Sequence, residues 1–229
     1  MPRSRLCHGR SLRSHGERTR LRADRPAPQP EPRGRRVAAF NHARGPRRSS
    51  QAPAEASAAS VAATIAQVLA TPCQNTELTP EEANLPAVKA AIMCLINRER
   101  AQNSLPPLQT SPQLEAAAES HSRELVSADY FAHVSPSGET PVDRIRGTGY
   151  IPDPQVGYVL GENLAWGTFS LATPQSIVSA WIASPGHLAN ILEARYQDTG
   201  IGVTPAVPPS LGGGSAGATY AEEFGVILH

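Results

Sequence analysis

The 229-residue chain has no run of 18 or more apolar residues, so no segment has the length and character of a membrane-spanning helix. Three cysteines and 5% aromatics exclude a small scaffold held by a dense disulfide framework. HExxH, P-loop, EF-hand and CxxC patterns are all missing, and with them the sequence signatures of zincins, phosphate-cradling loops, calcium loops and dithiol redox sites. Balance of charge is missing locally. Residues 1–50 hold 14 Arg against 3 acids, whereas residues 51–229 hold 7 Lys+Arg against 17 acids, so the net charge of +1 conceals a basic tail and an acidic remainder. What is present, 40% hydrophobic residues, suffices for one ordinary core or two small ones.

The Arg-, Pro- and Ser-rich tail carries almost no apolar periodicity, and such a segment cannot bury enough surface to offset the entropy of ordering. It is read as disordered. A polybasic tail can neutralise phosphates, but this one has no interleaved aromatics beyond Phe40, and nucleic acid is not expected as a partner. The Ala-rich stretch from Val61 to Ala70 follows Arg44, Arg47 and Arg48 in the order basic, apolar, small; it reads equally as a weak secretory signal or as a linker or short helix. Cys73 and Cys94 flank 20 residues, with no His or CxxC spacing around them. The choice lies between a disulfide in an oxidising compartment, worth roughly 3 kcal/mol in the loop-entropy model, and two inert thiols; the disulfide is favoured. Residues 1–72 are taken as tail plus signal-like segment, and 73–229 as one domain.

Within that domain Pro marks helix starts, where its missing N–H costs nothing. Asn84-Leu85-Pro86 opens a helix with Val88, Ile92, Leu95 and Ile96 at helical spacing, ended before Pro106-Pro107. Ser111-Pro112 opens a second with Leu114, Ala118, His121 and Leu125 on one face. Thr140-Pro-Val-Asp143 is a capping box for a short third, and Thr173-Pro174 starts a fourth that is expected to stop at Ser184-Pro185-Gly186. Strands are expected at Tyr158–Trp166, Thr199–Thr204 and Thr219–Leu228, the last two joined as a hairpin. Helices first and strands later give an α+β class with a small antiparallel sheet flanked by helices. The loop Gly212 to Gly217 matches GxGxxG and contains GxSxG around Ser215, but a strand rather than a helix follows, so both matches are accidents of composition.

Three of the seven histidines, His121, His133 and His187, lie in the interior of the domain sequence. His121 sits on the apolar side of its helix and is read as a satisfied buried histidine rather than a ligand. His133 and His187 each follow a helix end, a common position for functional side chains. The alternation Tyr158, Leu160, Glu162, Leu164, Trp166 puts the Glu162 carboxylate on an otherwise apolar face, where it requires donors, a cation or a raised pKa.

Six ordered blocks then become recognisable: Leu95-Ile-Asn-Arg-Glu-Arg100, Tyr130-Phe-Ala-His-Val-Ser-Pro-Ser-Gly138, Thr140-Pro-Val-Asp-Arg-Ile145, Gly161-Glu-Asn-Leu-Ala-Trp-Gly167, Trp181 to Leu192 and Tyr220-Ala-Glu-Glu-Phe-Gly225. In this order they resemble bacterial secreted CAP (SCP-type) domains, of the superfamily of cysteine-rich secretory proteins, antigen 5 and pathogenesis-related proteins. The resemblance implies an α-β-α sandwich whose cleft gathers two His and two acids, able in some relatives to hold a divalent metal. His133, Glu162 and His187 fill three of those positions; Ser184 stands where relatives with the full set have Glu.

The resemblance implies a secreted, monomeric binding module whose cleft residues His133, Glu162, His187 and Ser184 serve a small apolar or lipid-like ligand, a metal or a cell-envelope partner. Two alternatives stay open. One is a metal-assisted hydrolase with His133, His187 and Glu162 around Zn²⁺, the other a purely structural polar brace. No catalytic residue is assigned, and enzymatic activity is left undecided.

Overall fold

A computed structural model of the chain describes residues 22–23, 51–153, 155–212 and 214–228. Most of the basic tail, with Cys7, lies outside the described residues. The helices are α1 (Gln51–Ala70), α2 (Leu85–Gln102), α3 (Pro112–Ser127), α4 (Pro141–Gly147), α5 (Pro174–Ala183), α6 (Pro185–Ile191) and α7 (Pro209–Gly212). The strands are β1 (Arg22–Ala23), β2 (Gln109–Thr110), β3 (Gly157–Thr168), β4 (Asp198–Thr204) and β5 (Gly217–Leu228), in the order β1-β3-β5-β4-β2. The three long strands run antiparallel as expected, β4 and β5 forming the hairpin. Two-residue β2 adds to β4 in parallel, so the sheet is mixed, and Arg22–Ala23 of the tail pairs antiparallel with Ala165–Trp166.

Directly opposed residues in antiparallel strands share a sheet face, so the register sorts the side chains. Glu162, Glu223 and Gly200 lie on one face; Asn163, Glu222 and Ile201 lie on the other. α3 lies against the first face at close range, because a Cβ on Gly200 would sit 2.0 Å from the Glu115 nitrogen and one on Gly202 2.1 Å from the Ala118 carbonyl oxygen. Only glycine admits a helix backbone this near. The second face is covered by α2, α5 and α6, which bury Ile92, Trp181, Tyr196 and Phe224 in the larger core cluster. Tyr196 and Phe224 stack there with centroids 5.4 Å apart, and the Trp181 indole donates to the Leu164 carbonyl at 3.1 Å. Helices on both faces of one sheet make the α-β-α sandwich.

The Pro rule holds at α2, α3, α4 and α5, each with Pro in its first two positions. It also corrects one expectation. Ser184-Pro185 ends α5 and in the same stroke begins α6, with Ser184 as its N-cap and Pro185 inside it, so His187 lies in the first turn of a helix rather than in a loop. The Cys73–Cys94 disulfide is present, with Cα atoms 5.6 Å apart, and fastens the segment after α1 to the middle of α2. Ser215 lies between α7 and β5 with no helix after it, which leaves the GxSxG match without its strand-turn-helix context.

Candidate functional site

The site is built around Glu162 in the middle of β3. His133 arrives from the turn after α3, whose Gly138 has φ +91°, a conformation that favours glycine. That turn is held to α3 by Glu124, whose Oε2 accepts from Tyr130 Oη at 2.8 Å and from Ser135 Oγ at 2.6 Å. Arg144 arrives from α4, a helix started by the expected Thr140/Asp143 capping box. His121 arrives from the buried face of α3.

His133 Nδ1 donates to Glu162 Oε1 at 2.6 Å, and Arg144 Nη2 donates to Glu162 Oε2 at 3.0 Å and to the His133 carbonyl at 2.7 Å. His121 Nε2 faces the same Oε2 from 3.6 Å. Burial to 4% exposure would by itself push the Glu162 carboxyl up, but the His133 hydrogen bond and the charges of the His121 and Arg144 side chains outweigh it and bring the pKa down to about 2. Burial, joined by the Arg144 charge and opposed by Glu162, holds His121 below the ordinary imidazole value. Glu223 stands directly across the strand pair from Glu162. Burial and the negative charge of Glu162 drive it well above the usual carboxylate range, so the two neighbours are shifted in opposite directions.

The structure therefore brings His133 and Glu162 into direct contact. His187 is fully buried and forms a second pair: its Nδ1 and Ser184 Oγ are 2.8 Å apart, the hydroxyl serving the imidazole instead of capping the helix backbone. Asn163 Nδ2 donates to the His187 carbonyl at 3.2 Å, and Asn190 Nδ2 donates to the Glu162 carbonyl at 3.1 Å and Asn163 Oδ1 at 2.9 Å. These bonds fasten α6 to the Glu162–Asn163 stretch of β3. Sequence reasoning missed Arg144 and Glu223. The signal for Glu223 was available, since the period of two that puts Glu222 with Tyr220 and Phe224 puts its neighbour on the opposite face. For Arg144 the only trace was a basic residue directly after the capping box, within the Thr140–Ile145 block.

A divalent ion, which the resemblance implies for such a cluster, does not fit these donors. Both Glu162 oxygens are already bound to cationic or N–H donors, a guanidinium lies at hydrogen-bond distance, and among the described residues no three His, Cys, Asp or Glu side chains are disposed to hold a metal ion.

A separate cavity of about 670 Å³ lies between α1, α2 and β4, away from this cluster. Its wall includes Val68 of α1, Ala90 and Met93 of α2, and Ile201 of β4, with the Lys89–Glu115 ion pair at 2.7 Å among its polar members.

An α-β-α sandwich with a buried His/His/Glu/Arg cluster defines the class to which the chain belongs. Residues 94–206 match the family described as the cysteine-rich secretory protein family, CAP, and the chain carries a CAP domain of that family. Among individual proteins it is similar to the uncharacterised protein YkwD of Bacillus subtilis (strain 168), 31% identical over 134 residues, which make up 58% of this chain and 49% of YkwD. It thus spans about half the length of that relative. Among solved structures it is similar to an extracellular protein containing an SCP domain from Bacillus anthracis strain Ames, with 24% identity, a TM-score of 0.49, and coverage of 63% of this chain and 43% of that one. An outer surface protein from Borrelia burgdorferi matches with 20% identity, a TM-score of 0.47, and coverage of 63% of this chain and 92% of that one.

Proposed function

We propose that the protein is an exported CAP-domain binding module that takes a small apolar, lipid-like ligand in the groove between α1 and α2, while the Glu162 cluster braces the scaffold. The observation that carries this reading is the groove itself. Its volume of about 670 Å³ falls in the range of small-molecule sites, and its lining mixes apolar side chains such as Val68, Met93 and Ile201 with polar ones such as Gln67, Asn97 and Thr199. The cluster, by contrast, offers little room: Glu162 is 4% and His133 9% exposed, and His121 and His187 are fully buried. The disulfide supports export, because such bonds persist in oxidising compartments. A metal-assisted hydrolase on the same residues has no support in the donor set.

Titration of the full chain with a fluorescent polyene fatty acid tests the reading. Saturable binding is expected, displaced by unlabelled long-chain alcohols and abolished by Ala90→Trp, which fills the groove, with the far-ultraviolet circular dichroism unchanged. Absence of saturable binding, or binding indifferent to Ala90→Trp and sensitive to Glu162→Gln, contradicts it.

A further inference from the structure

The guanidinium of Arg144 is held by acceptors from several directions. Nη2 bridges Glu162 Oε2 and the His133 carbonyl, and Nη1 reaches the Glu139 carbonyl at 3.3 Å and Ser135 Oγ at 3.4 Å. It is 5% exposed and therefore dry, delivered by a helix whose first turn is fixed by its own capping box. A planar fork with five donors suits such a set of fixed acceptors, and a desolvated carboxylate demands one countercharge. Arg144 supplies it.

We infer that Arg144 is the resident cation of this site, fixed covalently in the place a divalent ion would take, so that the cluster is metal-independent and its carboxylate and His133 are positioned by the guanidinium. A divalent ion approaching Glu162 Oε2 would meet a positive charge already bonded to the same oxygen, in surroundings that screen little. Removal of that charge leaves His133 and Glu162, an imidazole and a carboxylate already in contact, facing a vacated cationic position, two side chains of the types that bind Zn²⁺. One substitution is thus expected to turn a metal-blind cluster into a metal site.

Isothermal titration of the full chain with zinc chloride alone tests it, with His133→Ala defining the background from the histidines of the tail. Wild type and His133→Ala are expected to give the same isotherm. Arg144→Met, which keeps the bulk of the stem, is expected to gain one further equivalent with affinity roughly tenfold or more above wild type, since the guanidinium repulsion is gone. The double variant Arg144→Met/His133→Ala loses that equivalent, and Arg144→Lys, which keeps the charge, remains like wild type. Where Arg144→Met is unfolded without metal, zinc-dependent recovery of its circular dichroism, absent in the double variant, supports the inference equally. An equivalent in wild type that His133→Ala or Glu162→Gln removes overturns it. So does an Arg144→Met protein that gains neither zinc affinity nor zinc-dependent folding.

Discussion

Glu162 and Glu222 are both buried in the same pair of strands, on opposite faces of one sheet, and they carry opposite charge states. Glu162 has an imidazole N–H and a guanidinium on its oxygens and is driven down to about 2. Glu222 has the Thr199 hydroxyl at 3.2 Å; burial pushes it up to about 8, with Thr199 and the charge of Arg100 offsetting only part of that rise. Arg100 is itself buried, but its donors go to the carbonyls of Pro106, Ile191, Glu193 and Tyr196, so it cross-links α2 to the α6–β4 connection instead of bonding the acid. Similar burial therefore gives opposite outcomes. The count of donors aimed at the carboxylate decides whether a charge persists inside the fold.

The largest effect expected from breaking this contrast is that of Arg144→Ala, which leaves Glu162 buried without its cation. Loss of one partner of a buried pair costs about 3–5 kcal/mol, and urea denaturation at pH 7 measures it. On the other face, Cys73→Ser frees the anchor of α2 and is expected to cost about 3 kcal/mol in the loop-entropy account, read by the same denaturation and unaffected by substitutions at Arg144. The third expectation concerns pH. Because the folded pKa of Glu222 lies above its ordinary 4.5, its contribution is complete below about 4.5 and is lost as pH rises through about 8. Glu222→Gln removes that decline, so the stability of wild type relative to the variant falls as pH rises across that window. Glu162 has the reverse sign: its folded pKa is depressed, so its contribution is present above 4.5 and lost as pH falls toward 2. The smallest effect is that of Lys89→Ala in the groove, where a partly exposed ion pair is worth no more than about 1 kcal/mol, checked by thermal denaturation at low and high salt.

The same contrast explains which parts of the molecule were legible in the sequence. Helix starts were legible because Pro at a first turn is a local signal that needs no tertiary context, as Pro86, Pro112, Pro141 and Pro174 show. The identical signal at Pro185 reads as a stop because it follows α5 without a loop, and so it hides α6. Glu162 was legible because a period of two places it among apolar neighbours. Its fate was not, because that depends on register with Glu223 and on Arg144, which lies 18 residues away in sequence and becomes a neighbour only when α4 docks. The expectation that a carboxylate on an apolar face needs partners was a physical one, and the structure supplies two of them; their identity is a property of packing.

The most direct measurement is a side-chain carbon-13 NMR titration of the glutamate carboxyls, with Glu162→Gln and Glu222→Gln used for assignment. Glu162 is expected to be still ionised at pH 4, and Glu222 still protonated at pH 7. Titration of both carboxyls near the ordinary value of about 4.5 would contradict the opposition of charge states across the sheet.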